Sequence, residues 1–268
     1  MRELDHLSEI SKNYDTFVID LWGVIHNGIT LNSKAMETIE NLNNKSKKIV
    51  FLSNAPRPSF KVTNFLLKMG MNKKFLSNVM TSGEAAMNAI NQTKFGKTFF
   101  HLGPPRDTSV FDKVKENRTN IEQCDFILCT GLFDDHDNDL NYYKDFLKNH
   151  ISKKLICTNP DLTVHRGNIE ELCAGSIAKV FEELGGKVSY FGKPYSEVYN
   201  LCFTEKEKVL AIGDNLRTDI KGANNLNLDC IFITNGVHRG ELHKISDLSN
   251  LLKTYKVKID FFQKELTW

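Results

Sequence analysis

Short continuous apolar runs recur along this chain, each ended abruptly by a polar residue or a glycine and separated from the next by a helix-length interval. Phe17-Val18-Ile19 stops at Asp20, the run inside KKIVFLSNAPRP stops at Ser53 and Asn54, and Val79-Met80 meets Thr81, Ser82 and Gly83. Runs of this kind fill the central strands of parallel sheets, which are buried on both faces. Between them, Ser33 to Asn43 carries a helical period, and residues 59 to 69 (Phe60, Phe65, Leu66, Met69) carry another that Gly70 closes. Residues 1 to 14 read as an amphipathic helix leading into the first strand.

That alternation of strand and helix predicts an α/β fold: a Rossmann-like, right-handed parallel sheet with helices on both faces. From about residue 84 to 175 the chain has its own rhythm. Strands are expected at Thr98 to Leu102, Phe126 to Thr130 and Lys154 to Thr158, joined by helices at 84 to 92, 138 to 149 and 169 to 173. Residues 1–80 and 175–268 are therefore assigned to one core, and 81–174 to an inserted α/β cap domain. In the last third, a helix runs through Leu184 and a strand from Val188 to Phe191 ends at Gly192-Lys193-Pro194. KVLAIGDNLRTDI ends its strand at Asp214, IFITNG forms another, a helix follows near 247 to 255, and IDFFQKEL supplies a closing strand.

Composition narrows the class. A hydrophobic fraction of 41% and a charged fraction of 25% over 268 residues are ordinary for a globular protein. The net charge is +2 with no basic stripe interleaved with aromatics, so nucleic acid is not an expected partner. The apolar runs are too short to span a bilayer and the opening MRELDHLSEISKNYD is too polar for a secretory signal, so no membrane contact and a cytoplasmic location are expected. A homodimer is left open. Six cysteines (124, 129, 157, 173, 202, 230) lie scattered without a C-x-x-C pair, which predicts reduced, buried thiols and no zinc site. The acidic run DDHDND at 134 to 139 fits no EF-hand register and reads as a solvated helix entry; neither GKT at 96 to 98 nor GKP at 192 to 194 has the P-loop glycine.

Candidate chemistry sits where the strands stop. Taken singly, Asp20 is a turn cap, Ser53-Asn54 a turn, Lys193 a surface charge and Asp219 a helix cap. Together they place a carboxylate, a hydroxyl with an amide, a cation and a carboxylate pair (Asp214, Asp219) at carboxyl ends of parallel strands, where open α/β sheets bind ligands. Phosphoryl transfer needs a positioned nucleophile and countercharge around the phosphoryl oxygens, and Mg²⁺ held by one or two carboxylates suits that task. Asp20 is the candidate nucleophile.

The order and spacing of these four segments resemble the haloacid-dehalogenase-like hydrolase superfamily, and the long insert resembles the large α/β cap of its sugar-phosphate, pyridoxal-phosphate and 4-nitrophenyl phosphatases. CTNPD at 157 to 161 strengthens that match. The resemblance implies a phosphatase of small phosphorylated metabolites, with Asp20 forming an aspartyl-phosphate and Ser53 and Lys193 holding the phosphate. It also implies Mg²⁺ bound by Asp20, the Trp22 main-chain carbonyl and Asp214, while Asp219 and Asn215 stand behind them. Asn54, Arg57 and Asp161 are further candidates for phosphate or substrate contact, as is His165. One position departs from the pattern: Trp22 stands where the family carries a second aspartate that acts as general acid and base. Loss of that help costs about 10² to 10⁴ in rate. The expectation is a slow phosphatase that favours aryl or acyl leaving groups, or a pseudoenzyme that binds a phosphorylated metabolite or a partner protein. His26 is the candidate substitute proton carrier.

Overall fold

Two parallel sheets are threaded by the chain in one pass out and one pass back. The computed structural model describes residues 1–242, 244 and 246–268. The first sheet begins with β1 (Arg2–Glu3), β2 (Thr16–Ile19), α1 (Ser33–Asn44), β3 (Lys48–Ser53), α2 (Ser59–Lys68) and β4 (Val79–Thr81). After α3 (Ser82–Asn91) the second sheet takes β5 (Phe99–Leu102), β6 (Phe126–Cys129), α4 (Leu140–Leu147) and β7 (Lys154–Cys157). A hairpin, β8 (Thr163–Arg166) and β9 (Ile169–Leu172), precedes α5 (Ala174–Glu183) and β10 (Lys187–Tyr190). The chain then returns through α6 (Ser196–Tyr199), β11 (Val209–Gly213), α7 (Lys221–Asn225), β12 (Asp229–Ile233), α8 (Asp247–Tyr255) and β13 (Phe261–Gln263).

The seven-stranded sheet has the order β1-β13-β12-β11-β2-β3-β4 and the four-stranded sheet β10-β7-β6-β5, with every pairing parallel. β2 lies mid-sheet, so its residues alternate between two cores. Phe17 and Ile19 join Ile39, Leu42 and Phe51 on one face, and Val18 joins Val50 and Tyr199 on the other. Helix α1 is started by the Asn32 side chain, which accepts from the amides of Lys34 and Ala35, and it buries Ala35, Thr38, Ile39 and Leu42 at helical spacing. The six cysteines are free and buried. None of the described helices is long and apolar enough to cross a membrane.

Three segments differ from the sequence reading. Residues 1–14 form no α-helix: β1 is followed by two 3₁₀ turns (Leu7–Glu9 and Ser11–Asn13), with Leu4 buried ahead of them, Leu7 in the first and Ile10 between the two. The amide of Leu4 is meanwhile taken by the Phe262 carbonyl at 3.0 Å, drawing the terminus into the sheet edge. Residues 169–173 carry β9 rather than a helix, because Gly167, at φ +63°, closes a two-residue turn that pairs Arg166 with Ile169. Finally, β10, assigned from sequence to the core, pairs with β7 in the second sheet, so the return crossing falls at Gly192 rather than near residue 175. Helix α5 packs with it, burying Ile177, Ala178 and Phe181 against Leu155 and Cys157.

Candidate active site

Register in the large sheet brings distant residues side by side. Ile19 of β2 is opposite Ile212 of β11, so Asp20 and Asp214 emerge from neighbouring strand ends, and the Asp20 amide donates to the Ile212 carbonyl at 2.8 Å. Asp214 is closely wrapped. Its Oδ2 accepts from the Val237 amide at 2.7 Å, and a Cβ on Gly23 or Gly236 would lie 2.0 or 2.1 Å from the same oxygen, so neither position admits a side chain. Asp219 is carried by a wide π-type turn, Leu216–Ile220, and its Oδ2 accepts from the Asn215 amide at 3.0 Å.

Lys193 enters from the return crossing and is 3% exposed. Its Nζ donates to Asp20 Oδ1 and, at 2.8 Å, to the Leu52 carbonyl at the end of β3, and it lies 2.7 Å from Asp219 Oδ1. Asn54 holds its backbone in a reciprocal pair: Asn54 Oδ1 accepts from the Lys193 amide at 2.8 Å, and Nδ2 donates to the Lys193 carbonyl at 3.1 Å. The ammonium is thereby fixed.

Charge is out of balance here. Asp20, Asp214 and Asp219, all buried, offer oxygens within 4.8 Å of one another, and Asp161 adds a fourth carboxylate against the single Lys193. Burial raises the Asp20 carboxyl, Lys193 opposes this, and Asp219 and Asp161 reinforce it, leaving Asp20 pushed up to about 8. Asp214 is raised well above the usual range by burial and then by the Asp20 and Asp219 charges. Burial alone would lower Lys193, but those same carboxylates hold it far above the ordinary lysine value, so it stays an ammonium. A cluster of hard oxygen donors carrying surplus negative charge away from water fits a divalent cation such as Mg²⁺.

The remaining predicted residues divide. Ser53 is 7% exposed beside this cluster, and its Oγ accepts from the Ala55 amide at 3.2 Å. Asp161, expected at the substrate, spends Oδ1 on three donors, the side-chain Nδ2 groups of Asn54 and Asn215 at 3.2 Å each and the Thr218 hydroxyl at 3.0 Å. It fastens the TNPD loop of the second sheet to the first. Arg57 is ion-paired with the buried Asp107, which uses up its charge. His26 does not fit a proton carrier: its Nδ1 accepts from the Gly28 amide at 3.0 Å, its ring packs edge-on to Trp22 and Phe65, and burial together with the Arg166 charge lowers it to about 4. Trp22 donates its indole N–H to the His165 carbonyl at 2.8 Å, which ties the first sheet to the β8–β9 hairpin.

All of these groups open on one cavity of about 1050 Å³ between the two sheets. Its lining includes Thr218 and Arg239, which the sequence reading missed. A Ser/Thr within the DNLRTDI segment was a usable signal for Thr218; Arg239 had none.

Comparison with known proteins places the chain. A family model described as haloacid dehalogenase-like hydrolase matches residues 17–115, and a second, HAD-hydrolase-like, matches residues 190–252. The chain is 26% identical over 245 residues to an acid sugar phosphatase of Staphylococcus haemolyticus, covering 88% of this chain and 91% of that one. It is 25% identical over 250 residues to a 5'-nucleotidase of Bacillus subtilis, covering 88% and 93%. The crystal structure of a hydrolase of the haloacid dehalogenase-like family from Brucella suis superposes with a TM-score of 0.87 at 27% identity, covering 100% of both chains. The two matched segments are those that contribute the strand ends around Asp20, Lys193 and Asp214, and the chain belongs to the haloacid dehalogenase-like hydrolases.

Proposed function

We propose that this protein is a Mg²⁺-dependent phosphoric monoester hydrolase acting on small phosphorylated metabolites, with Asp20 as nucleophile. The observation that carries this reading is the Lys193 ammonium bonded to a carboxylate 173 residues away, with Asp214 and Asp219 gathered around the same point. Asp20, Asp214 and the Trp22 carbonyl are the residues that would hold Mg²⁺, which when bound supplies countercharge to a phosphoryl group and lowers the carboxyls' affinity for protons.

In the first step an Asp20 oxygen attacks phosphorus; a new O–P bond forms as the ester O–P bond breaks, and the leaving group departs with that bond's electron pair. Lys193 neutralises phosphoryl oxygens, and the Ser53 hydroxyl donates to one of them. Asn54 and Asp161 act as positioning residues, since their hydrogen bonds go to Lys193 and to the neighbouring loops. Water then attacks the aspartyl-phosphate at phosphorus, which releases inorganic phosphate and restores the carboxylate. The Trp22 indole cannot carry a proton in either step, and its N–H is already committed to His165. Esters with good leaving groups are therefore favoured.

The test is phosphate release from 4-nitrophenyl phosphate and from an alkyl phosphate, with Mg²⁺ present and after chelation. The expected result is metal-dependent turnover with the aryl ester faster by about 10² or more. Equal rates of leaving-group release from the two esters in a single turnover, which reads the first step alone, would contradict the leaving-group argument. The committed Trp22 also favours a second reading, a sensor of phosphorylated metabolites; binding of the esters without multiple turnover would establish it in place of the first.

A further inference from the structure

The cations around the cavity are not equivalent. Lys193 is neutralised by Asp20 and Asp219, Arg57 by Asp107, Arg106 by Asp134 and Arg166 by Glu171. Lys61 and Lys264 are exposed, on flexible stems. Arg239 differs from all of these. It is half-buried in the cavity wall, and among the described residues no carboxylate pairs with it. The hairpin acid that remains, Glu170, approaches His165 at 3.7 Å instead.

The guanidinium is nevertheless fixed. One Nη2–H donates to the Gly167 carbonyl at 2.9 Å at the tip of the β8–β9 hairpin. That tip is itself anchored, since the Gly167 amide donates to the Asn27 carbonyl at 3.0 Å and the His165 carbonyl accepts from Trp22 at 2.8 Å. At the other end Arg239 follows the Gly236-Val237 segment that wraps Asp214. A half-buried arginine with no countercharge, held by one edge in a cavity built for a phosphoryl group, has its other N–H donors available to a planar or tetrahedral anion.

We propose that Arg239 forms a subsite for a second anionic group on the substrate, a carboxylate or a second phosphate. The proposal rests on the phosphatase reading above and narrows it: the preferred substrates are phosphate monoesters with an acidic group elsewhere on the molecule. Arg57, a candidate for substrate contact from the sequence, is already satisfied by Asp107. Arg239 is a specificity residue that touches the part of the substrate away from phosphorus.

The experiment compares glycerol phosphate with phosphoglycerate, which differ by the added carboxylate, in the full-length wild type and the R239M and R239K variants with Mg²⁺. Wild type is expected to prefer phosphoglycerate by about tenfold or more, R239M to lose about thirtyfold in kcat/KM on phosphoglycerate and less than about threefold on glycerol phosphate, and R239K to recover part of the loss. An equal loss on both substrates would make Arg239 only a clamp on the hairpin and overturn the proposal, as would a wild type without preference. Propanediol bisphosphate set against its monophosphate separates a second phosphate from a carboxylate as the favoured group. Calorimetric binding of the same compounds to the D20N variant keeps the two readings apart. Tighter binding of phosphoglycerate that disappears in D20N/R239M upholds the subsite even if the wild type turns nothing over, whereas equal binding of both compounds overturns it whatever the turnover.

Discussion

The two sheets face each other across one cavity and have the same architecture, parallel strands with buried centres and carboxyl ends turned toward the opening, yet carboxylates stand directly at the strand ends only in the large sheet, while Asp161 and Lys193 come from loops that follow β7 and β10 of the small one. The large sheet ends in Asp20, Ser53 and Asp214, with Lys193 brought to them. The small sheet ends in Gly103, Thr130 and Thr158, where the contacts are neutral: His101 meets the Thr130 hydroxyl at 2.8 Å and Thr158 donates to the Cys129 carbonyl at 3.1 Å. Parallel geometry therefore provides a crevice, and the chemistry comes from which side chains the strand ends present. The small sheet instead contributes shape, the loops that carry Asp161 and Lys193 and, through the hairpin, a fixed wall.

If that contrast holds, perturbing the charged end has the larger cost. Replacing Lys193 by Met leaves Asp20 and Asp219 buried without their cation, and we expect a loss of about 3 to 5 kcal/mol in metal-free unfolding free energy, read from urea denaturation at neutral pH. A loss below about 1 kcal/mol would mean the ammonium is not the counterion that the geometry indicates.

The second expectation concerns pH. The Asp20 carboxyl binds its proton more tightly when folded, with its pKa raised from 3.8 to about 8, and Asp214 is raised as well. The stability this contributes is complete below pH 3.8 and is lost as pH climbs to about 8, so the chelated protein weakens over that interval. A cation favours the ionised carboxylates, and the stabilisation by Mg²⁺ should therefore grow with pH across the same window. Thermal melts with and without Mg²⁺ at several pH values check this; an increment independent of pH would contradict it.

The smallest effect belongs to the neutral end. Thr158→Val removes one buried hydroxyl bond to Cys129 and should cost about 1 kcal/mol while leaving turnover of 4-nitrophenyl phosphate unchanged. A large loss of activity without a loss of stability would show that the small sheet takes part in the chemistry.

The same contrast explains how far the sequence could be read. β2, β3 and β11 were legible because a strand buried on both faces must be continuously apolar, and a carboxylate directly after such a run is conspicuous. Asp20, Ser53 and Asp214 followed from that. Sheet membership was not legible: Lys187–Tyr190 has the same pattern whichever sheet it joins, and only pairing with β7 decides the matter. The N-terminal segment misled because Leu4, Leu7 and Ile10, three apart, are spaced like one face of an α-helix although the chain there is a short strand followed by two 3₁₀ turns. The functions of Trp22, Asp161 and Arg239 depend on partners 143, 54 and 72 residues away, which no local pattern encodes.

The most direct measurement is chemical trapping at Asp20. With Trp22 unable to activate water, the aspartyl-phosphate formed from 4-nitrophenyl phosphate should hydrolyse slowly and accumulate. Acid quenching during turnover, borohydride reduction and peptide mass spectrometry should convert Asp20, and no other aspartate, to homoserine. Substrate turnover with Asp20 unmodified, or with the label on another residue, would contradict the account.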